Sequence, residues 1–245
     1  MDKLVYLAMT GAKALLQRQD ALSNNLANAS TPGFRADLMA FRAVPIRNEA
    51  AASTRVFALE ATAGFDHAAG TLQQTGRPLD VAVRGQGWIA VQGLDGNEAY
   101  TRAGSFQVSA DGTLQTMGGL PVLSEGGPIQ VPANSELNIG DDGTVSAKAP
   151  GQAPVQVGRI KLVDPPPGEL NKGADGLVRT ATGEPAAGEP RVRLAAGALE
   201  SSNVNVVEAM VGMIALSRQF EMQMKMMQTA DQNAQRAQSL LSLRA

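Results

Sequence analysis

Side chains that could catalyse a reaction or hold a metal ion are scarce in this sequence of 245 residues. It contains no cysteine, which excludes disulfides, thiolate zinc sites, iron–sulfur clusters and thiol nucleophiles. Its one histidine, His67, lies in the turn-rich stretch GFDHAAG, and a single histidine cannot build a two-histidine metal site or a histidine relay. Asp66 is its neighbour in sequence only, so we interpret His67 as an exposed loop residue.

Two glycine-containing patterns are better explained as turns than as ligand sites. Gly85-Gln86-Gly87 precedes a strand-like run, whereas a dinucleotide-binding glycine motif opens a helix. Asp141-Asp142-Gly143 lacks the further ligands of a calcium loop. No nucleophile-elbow, P-loop or zinc-protease motif occurs. The sequence therefore predicts that the protein is not an enzyme and has no cofactor or metal site.

Composition narrows the classes of partner. The net charge of −2 provides no basic surface for nucleic acid, and aromatic residues make up only 4% of the chain. No apolar run approaches the length of a membrane span, so we expect no direct membrane insertion. The N-terminal segment MDKLVYLAMTGAKALLQ lacks both an uninterrupted apolar stretch and a small-residue cleavage site, so no cleaved secretory signal peptide is expected.

Both ends of the sequence read as long helices, because all 13 prolines lie between Pro32 and Pro190. The first helix is predicted over about residues 2 to 29, with one apolar stripe that includes Leu4, Leu15, Leu22 and Leu26. The second is predicted over about residues 204 to 243. Its apolar residues recur every seven positions: Val206, Met213, Phe220, Met227, Ala234 and Leu241. This heptad repeat predicts that the two helices pair as a coiled coil.

The middle of the chain predicts an antiparallel β domain. Short β-rich runs are separated by four Asp-Gly dipeptides, each of which predicts a hairpin with a type I′ turn. The expected layout is terminal helices over 1–31 and 203–245, an extended connector over 32–69 and a β-rich outer domain over 70–202. The fold class is therefore α+β, with paired N- and C-terminal helices flanking a mostly antiparallel β domain.

Two features of the helices point to self-assembly. Apolar residues lie outside the heptad seam of the second helix, including Met210 and Met224, and a helix pair alone would leave them uncovered. Asn24, Asn25 and Asn28 occupy the end of the first helix, in a stretch with no charged residue. Asparagine is a poor helix former whose amide can bond to backbone or to a neighbouring subunit. We expect all of these positions, with the seam residues, to be subunit-packing sites.

Four stretches carry a resemblance to a known family. They cover both termini and most of the middle, and they occur in the order ALSNNLANASTPGF, RPLDVAVRGQGWIAVQ, AYTRAGSFQV and GALESSNVNVVEAM. They resemble signatures of the rod and hook family of bacterial flagellar axial proteins. Within it, residues 31–35, 77–81 and 220–225 are most similar to a proximal rod subunit.

The resemblance implies a non-enzymatic structural subunit that polymerises in the periplasm into the drive shaft between the membrane ring and the hook. Its implied partners are the other proximal and distal rod proteins, in a helical hetero-assembly, and the flagellar type III export apparatus. Export by that route would need no cleaved signal peptide. The terminal helices would form the inner tube of the rod and the β domain its outer layer.

Two alternatives remain open at the level of sequence. One is a distal rod subunit of the same family. The other, from a different class, is a periplasmic ligand-binding β module that dimerises through its helices. Circular dichroism discriminates the classes, because a rod subunit gains helix on polymerisation whereas a binding module is fully helical as a ligand-stabilised monomer.

Overall fold

A computed structural model of the chain describes residues 2–45 and 56–242, with side chains described for 9–40, 64–233, 235, 236 and 239. The chain divides into two compact units. The helical unit comprises the described parts of residues 1–27, 37–64 and 205–245, and the β unit comprises residues 28–36 and 65–204. The polypeptide therefore passes between the two units four times.

Two long helices dominate the helical unit. α1 spans Asp2–Ala27 and α2 spans Val206–Ser242, each within two residues of its predicted limits. α2 begins where it does because the side-chain Oδ1 of Asn205 accepts hydrogen bonds from the backbone N–H groups of Val207 and Glu208, at 3.1 and 3.2 Å. This is the standard N-cap arrangement of an asparagine. Among the described residues, neither helix combines the length and hydropathy that crossing a membrane requires.

The least exposed side chains of α2 follow the predicted heptad positions. Ala209 and Leu216 are buried. The next least exposed positions are Met213, Phe220, Gln223, Met227 and Ala230. Together these residues alternate spacings of four and three, which is the periodicity of one helix face. The helices contact each other on this side of α2.

Two close contacts show that α1 and α2 run antiparallel. A Cβ atom on Gly11 would lie 2.7 Å from Nε2 of Gln223, and a Cβ atom on Gly212 would lie 3.1 Å from Cδ1 of Leu22. Eleven residues forward along α1 thus correspond to eleven residues backward along α2. In this register, Leu15 lies within one residue of the level of Phe220, and Leu22 lies within one residue of the level of Met213.

The region between Asp37 and Phe65 differs from the extended connector that the sequence predicts for residues 32–69. It contains two strands, β1 (Asp37–Pro45) and β2 (Val56–Phe65), which pair as a two-stranded sheet. Most of this sheet belongs to the helical unit, where β1 contacts α1. Val and Phe in both segments favour strands, but the Ala-rich composition gives no clear alternation of apolar and polar residues.

The β unit contains sixteen short strands in the described residues. These are β3 (Leu72–Gln74), β4 (Val81–Arg84), β5 (Trp88–Gln92), β6 (Glu98–Thr101), β7 (Phe106–Val108), β8 (Leu114–Thr116), β9 (Leu123–Ser124), β10 (Gly127–Pro128), β11 (Glu136–Ile139), β12 (Thr144–Lys148), β13 (Val155–Arg159), β14 (Leu162–Val163), β15 (Leu170–Lys172), β16 (Val178–Thr180), β17 (Arg193–Ala196) and β18 (Ala198–Glu200). The largest sheet has the order β14-β5-β6-β16-β15, and a three-stranded sheet has the order β11-β12-β13. All strand pairs whose registers are described are antiparallel, as predicted.

Aliphatic side chains fill the main core of the β unit. Ile89, Val91, Phe106, Leu114 and Leu194 are among its fully or nearly fully buried members. A second cluster surrounds Trp88 and Tyr100. Alternate residues of β5 belong to different clusters, Ile89 and Val91 to the main core and Trp88 and Ala90 to the second. The main core combines residues from Val81 to Leu194. The core therefore depends on contacts between residues that are distant in sequence.

The four Asp-Gly dipeptides form hairpin turns, as predicted, but the turn type differs. Only the glycine has positive φ in each, near 80° at Gly96, Gly112, Gly143 and Gly176, whereas type I′ requires positive φ at two central residues. The N–H of Gly96 bonds to the carbonyl of Gly93 and the N–H of Gly93 bonds to the carbonyl of Asn97. This pattern is a longer loop with a glycine bulge. The Asp95 side chain stabilises it by accepting from the N–H of Asn97 at 3.2 Å.

Candidate functional site: a buried arginine–glutamate cluster

A buried ion cluster lies in the β unit near the points where the chain enters and leaves it. The carboxylate of Glu200, at the end of β18, accepts hydrogen bonds from Nη2 of Arg35 at 2.6 Å and from Nη1 of Arg102 at 3.0 Å. The side chains of Glu200, Arg35 and Arg102 are only 1, 2 and 5% exposed. Charged residues are rarely buried to this extent unless they are paired.

The indole ring of Trp88 covers the two guanidinium groups. The centre of the Trp88 ring lies 5.9 Å from Cζ of Arg35 and 5.3 Å from Cζ of Arg102, within cation–π range. Burial lowers the pKa of the Arg102 guanidinium, the negative charge of Glu200 acts in the opposite direction, and the positive charge of Arg35 lowers it further. Trp88 and Glu200 thus together compensate two positive charges removed from water.

Hydrogen bonds to backbone extend the cluster to neighbouring loops. Arg35 Nη1 donates to the carbonyl of Ala68 at 2.6 Å, and Arg102 Nη2 donates to the carbonyl of Gly85 at 2.8 Å. The backbone N–H of Gly70 donates to Oε1 of Glu200 at 2.9 Å. The cluster therefore joins the segment after α1, the segment after β2 and the strand before α2.

Asn203 strengthens the same connection. Its Oδ1 accepts from the N–H of Ala36 at 2.8 Å, and its Nδ2 donates to the carbonyls of Asp66 and Ala68 at 3.2 and 3.0 Å. We call Arg35, Trp88, Arg102, Glu200 and Asn203 the junction cluster. The hydrogen bonds of the junction cluster reach residues next to three of the four passages between the units, namely Ala36, Asp66 and Asn203.

Gly33 allows the backbone to approach the junction cluster. Its N–H donates to the carbonyl of Glu200 at 2.8 Å, and its φ is +71°. A Cβ atom at this position would lie 2.2 Å from the carbonyl carbon of Arg102. Backbone atoms cannot yield in the way that the end of a flexible side chain can, so only glycine fits.

We expect Gly33→Ala to destabilise the β unit considerably more than Gly76→Ala. Both glycines have φ near +71°, but a Cβ atom on Gly76 would meet no atom within 4 Å. Gly76→Ala should thus cost only the backbone term of about 1–2 kcal/mol, whereas Gly33→Ala adds a steric clash. Urea unfolding of both variants measures the difference. Equal losses of stability would show that the close approach at Gly33 has no energetic consequence.

The structure gives the three predicted asparagines partners within the chain. Asn25 is buried, and its amide bonds to both the N–H and the carbonyl of Asp37, at 2.8 and 3.0 Å. Asn24 Nδ2 donates to Oδ2 of Asp37 at 2.7 Å. Asn28 lies just after α1, and its Oδ1 accepts from the hydroxyl of Thr31 at 3.2 Å. The amide of Asn25 thus replaces a strand partner for Asp37, at the start of β1. A contact of these asparagines with neighbouring subunits stays a prediction.

The other predicted packing residues fall into two groups. The half-buried group comprises Leu15, Leu22, Leu26, Met213, Phe220 and Met227. The exposed group comprises Val206, Met210 and Met224. Leu4 and Leu241 lie outside the residues whose side chains are described. Further exposed apolar residues of α2 are Val207, Val211 and Ile214, at 71, 62 and 57%. By helical periodicity they lie on the side of α2 opposite Ala209 and Leu216.

Sequence reasoning missed the junction cluster, although its residues lie within or beside the quoted motifs. Arg35 follows the Thr-Pro-Gly-Phe stop, Trp88 and Arg102 lie in the two central motifs, and Glu200 and Asn203 lie in the last. The available signal was weak: Arg102 is the only charged residue in AYTRAGSFQV, and Glu200 is the only one in GALESSNVNV. Nothing local indicates that these residues meet.

The junction cluster has the properties of a structural site. Its ionisable groups are paired with one another, and no group of His, Asp or Glu suited to a metal ion occurs among the described residues. His67 is exposed, as predicted, and its ring lies 4.3 Å from that of Phe65. The arrangement can hold chain segments together, and it positions no nucleophile.

Three family models match the chain. Residues 6–35 match the model described as flagella basal body rod protein, residues 82–147 match the flagellar hook protein FlgE/F/G D1 domain, and residues 195–240 match the flagellar basal body rod FlgEFG protein C-terminal model. The junction cluster draws on all three regions, since Arg35, Arg102 and Glu200 fall in one each.

Whole-length relatives agree with these models. The flagellar basal-body rod protein FlgF of Salmonella typhimurium is 48% identical over 99% of this chain and 100% of its own length. FlgF of Escherichia coli is 46% identical with the same coverage. The rod protein FlgG of Buchnera aphidicola (from Acyrthosiphon pisum) is 34% identical over 96% of this chain and 98% of its own length.

Proposed function

The chain belongs to the family of flagellar basal-body rod proteins, as a FlgF-like structural subunit of the rod, and we propose on this premise that it forms part of the proximal rod and transmits torque towards the hook. Its position in the proximal rod is supported by the similarity to two FlgF proteins, which are 48 and 46% identical to it over nearly the whole chain. The FlgG protein compared is 34% identical. The relatives are structural rod proteins, in keeping with a non-enzymatic role.

α1 and α2 form, in this proposal, an antiparallel coiled coil at the inner wall of the rod. The contacts of Gly11 with Gln223 and of Leu22 with Gly212 support the antiparallel register. The alternating spacing of the least exposed α2 residues supports a seam of the coiled-coil type. The β unit would then form the outer layer of the rod.

The uncovered face of α2 is the surface that neighbouring rod subunits would occupy. Val207, Val211 and Ile214 are all more than half exposed, and burying each contributes about 1.5–3 kcal/mol. Methionine adapts to irregular contacts, which suits a helix surrounded by non-identical neighbours. The partners are therefore other proximal and distal rod proteins, packed in a helical hetero-assembly.

The proposed location is the periplasmic part of the basal body. The subunit would reach it through the flagellar type III export apparatus, without a cleaved signal peptide.

Deletion of the gene in its flagellated host tests the proposal. We expect cells that do not swim and basal bodies that lack a hook, because a gap in the proximal rod prevents addition of later subunits. Expression of the intact chain from a plasmid should restore swimming, which serves as the control. Deletion cells with complete rods and normal swimming would contradict the proposed function.

A further inference from the structure

Exposed methionines are concentrated on α2. Six of the ten methionines lie between Met210 and Met227. In the described structure Met210, Met222, Met224 and Met226 are 49, 59, 39 and 55% exposed, and we call these four the helix methionines. The sequence contains no cysteine, so no thiol of this chain competes with them for an oxidant.

We propose that the helix methionines are a site of oxidative modification, at which a hydroperoxide or hypochlorous acid blocks incorporation of the free subunit into the rod. This inference rests on the proposed function, because it requires that the α2 surface be buried on assembly. It goes beyond that function by assigning a covalent modification to named side chains.

The chemistry needs only the thioether and the oxidant. A lone pair of the methionine sulfur attacks one oxygen of the hydroperoxide, the O–O bond breaks, and an S–O bond forms. The sulfur loses two electrons, and the proton on the transferred oxygen passes to the departing oxygen, so hydrogen peroxide leaves as water and an organic hydroperoxide as its alcohol. With hypochlorous acid the net reaction transfers its oxygen to the sulfur and releases chloride and a proton. The product is methionine sulfoxide, which methionine sulfoxide reductases convert back at the expense of a dithiol.

Oxidation changes the surface in the direction that opposes assembly. A flexible apolar side chain becomes polar, and a sulfoxide buried between helices without a partner loses the gain from burial. The loss of one buried methionine corresponds to an association weaker by about tenfold or more. Oxidation of several helix methionines together should therefore prevent incorporation. Once assembled, the same residues would be shielded from the oxidant.

Peptide mass spectrometry of the purified full-length chain tests accessibility. During a time course with hydrogen peroxide, we expect the helix methionines to oxidise before Met213 and Met227, which are half-buried on the seam side of α2. Equal rates at all six positions would overturn the assignment of a selective site.

Substitution tests the consequence in cells. The helix methionines are all replaced by glutamine, a polar residue of similar length, or all by leucine, which stays apolar and does not oxidise. We expect the glutamine variant to swim much less than the leucine variant, whose swimming without oxidant is the baseline for its own response to peroxide. Met117→Gln is the matched control, because Met117 is 59% exposed but lies in the β unit, and its strain should swim.

Peroxide completes the test. Flagella are sheared off and gene expression is restarted in sublethal peroxide, so that new rods must be built from exposed subunits. Swimming should return more slowly in the wild type than in the leucine variant. Equal delays in the two strains, or normal swimming of the glutamine variant, would overturn the inference alone. Normal swimming of the deletion strain would instead overturn the proposed function.

Discussion

Glu200→Gln should lower the free energy of unfolding of the β unit by about 3–5 kcal/mol, the typical cost of removing one partner from a buried ion pair. Arg35 and Arg102 would remain more than nine-tenths buried without their shared counter-charge. Urea unfolding followed by tryptophan fluorescence reports on this directly. Trp88 is the only tryptophan of the chain, and its ring lies over both guanidinium groups.

Glu189→Gln is the matched control for this substitution. Glu189 also pairs with an arginine, at 2.8 Å, but the side chain of that partner, Arg191, is 86% exposed. Exposed ion pairs contribute about 0–1 kcal/mol, so this variant should unfold nearly as the wild type does. Similar losses for Glu200→Gln and Glu189→Gln would show that burial of the cluster is energetically unimportant.

The charge balance of the cluster also predicts which of two substitutions, Arg102→Met or Glu200→Gln, lowers the free energy of unfolding more. Arg102→Met leaves Arg35 and Glu200 as a one-to-one pair and removes the guanidinium whose pKa burial lowers. It should therefore cost less than Glu200→Gln, which leaves two positive charges unmatched. The reverse order would mean that the hydrogen bond from Arg102 to Gly85 outweighs the ion pair.

Phe220→Asp should abolish swimming while the β unit stays folded. Phe220 is half-buried on the seam side of α2 near the level of Leu15, so the substitution removes part of the about 1.5–3 kcal/mol that full burial would contribute. It also places a carboxylate on the seam between two helices, where a charge without a partner is costly. We expect the helical unit to lose circular dichroism signal at 222 nm and basal bodies to lack complete rods.

Gln219→Asp is the control for charge and helix propensity. Gln219 precedes Phe220 by one residue and is exposed, so an aspartate there remains in water. Its strain should swim, and its helix content should match that of the wild type. Normal swimming of the Phe220→Asp strain would contradict the assignment of the seam. An unfolded β unit in that variant would contradict the separation of the two units.

Local features were predictable from the sequence because they depend on neighbouring residues. The heptad repeat from Met213 to Met227 matches the least exposed face of α2, and the four Asp-Gly dipeptides mark hairpin turns. The first of these follows from helix periodicity and the second from the left-handed conformation that glycine adopts without strain. Family membership followed from motifs spread along the whole chain.

Tertiary structure alone decided where distant residues meet. Arg35 and Arg102 both bind the carboxylate of Glu200. In the sequence, 67 positions separate Arg35 from Arg102 and 98 separate Arg102 from Glu200, so no spacing rule links the three residues. The same holds for Asn25, whose buried amide completes the hydrogen bonding of Asp37 at the edge of β1. Helix and turn patterns depend on residues that are close in sequence. A buried charge is costly unless it is paired, and its partner can come from any part of the folded chain. The motifs of this sequence therefore identify its family, and the fold shows that they meet at the junction cluster.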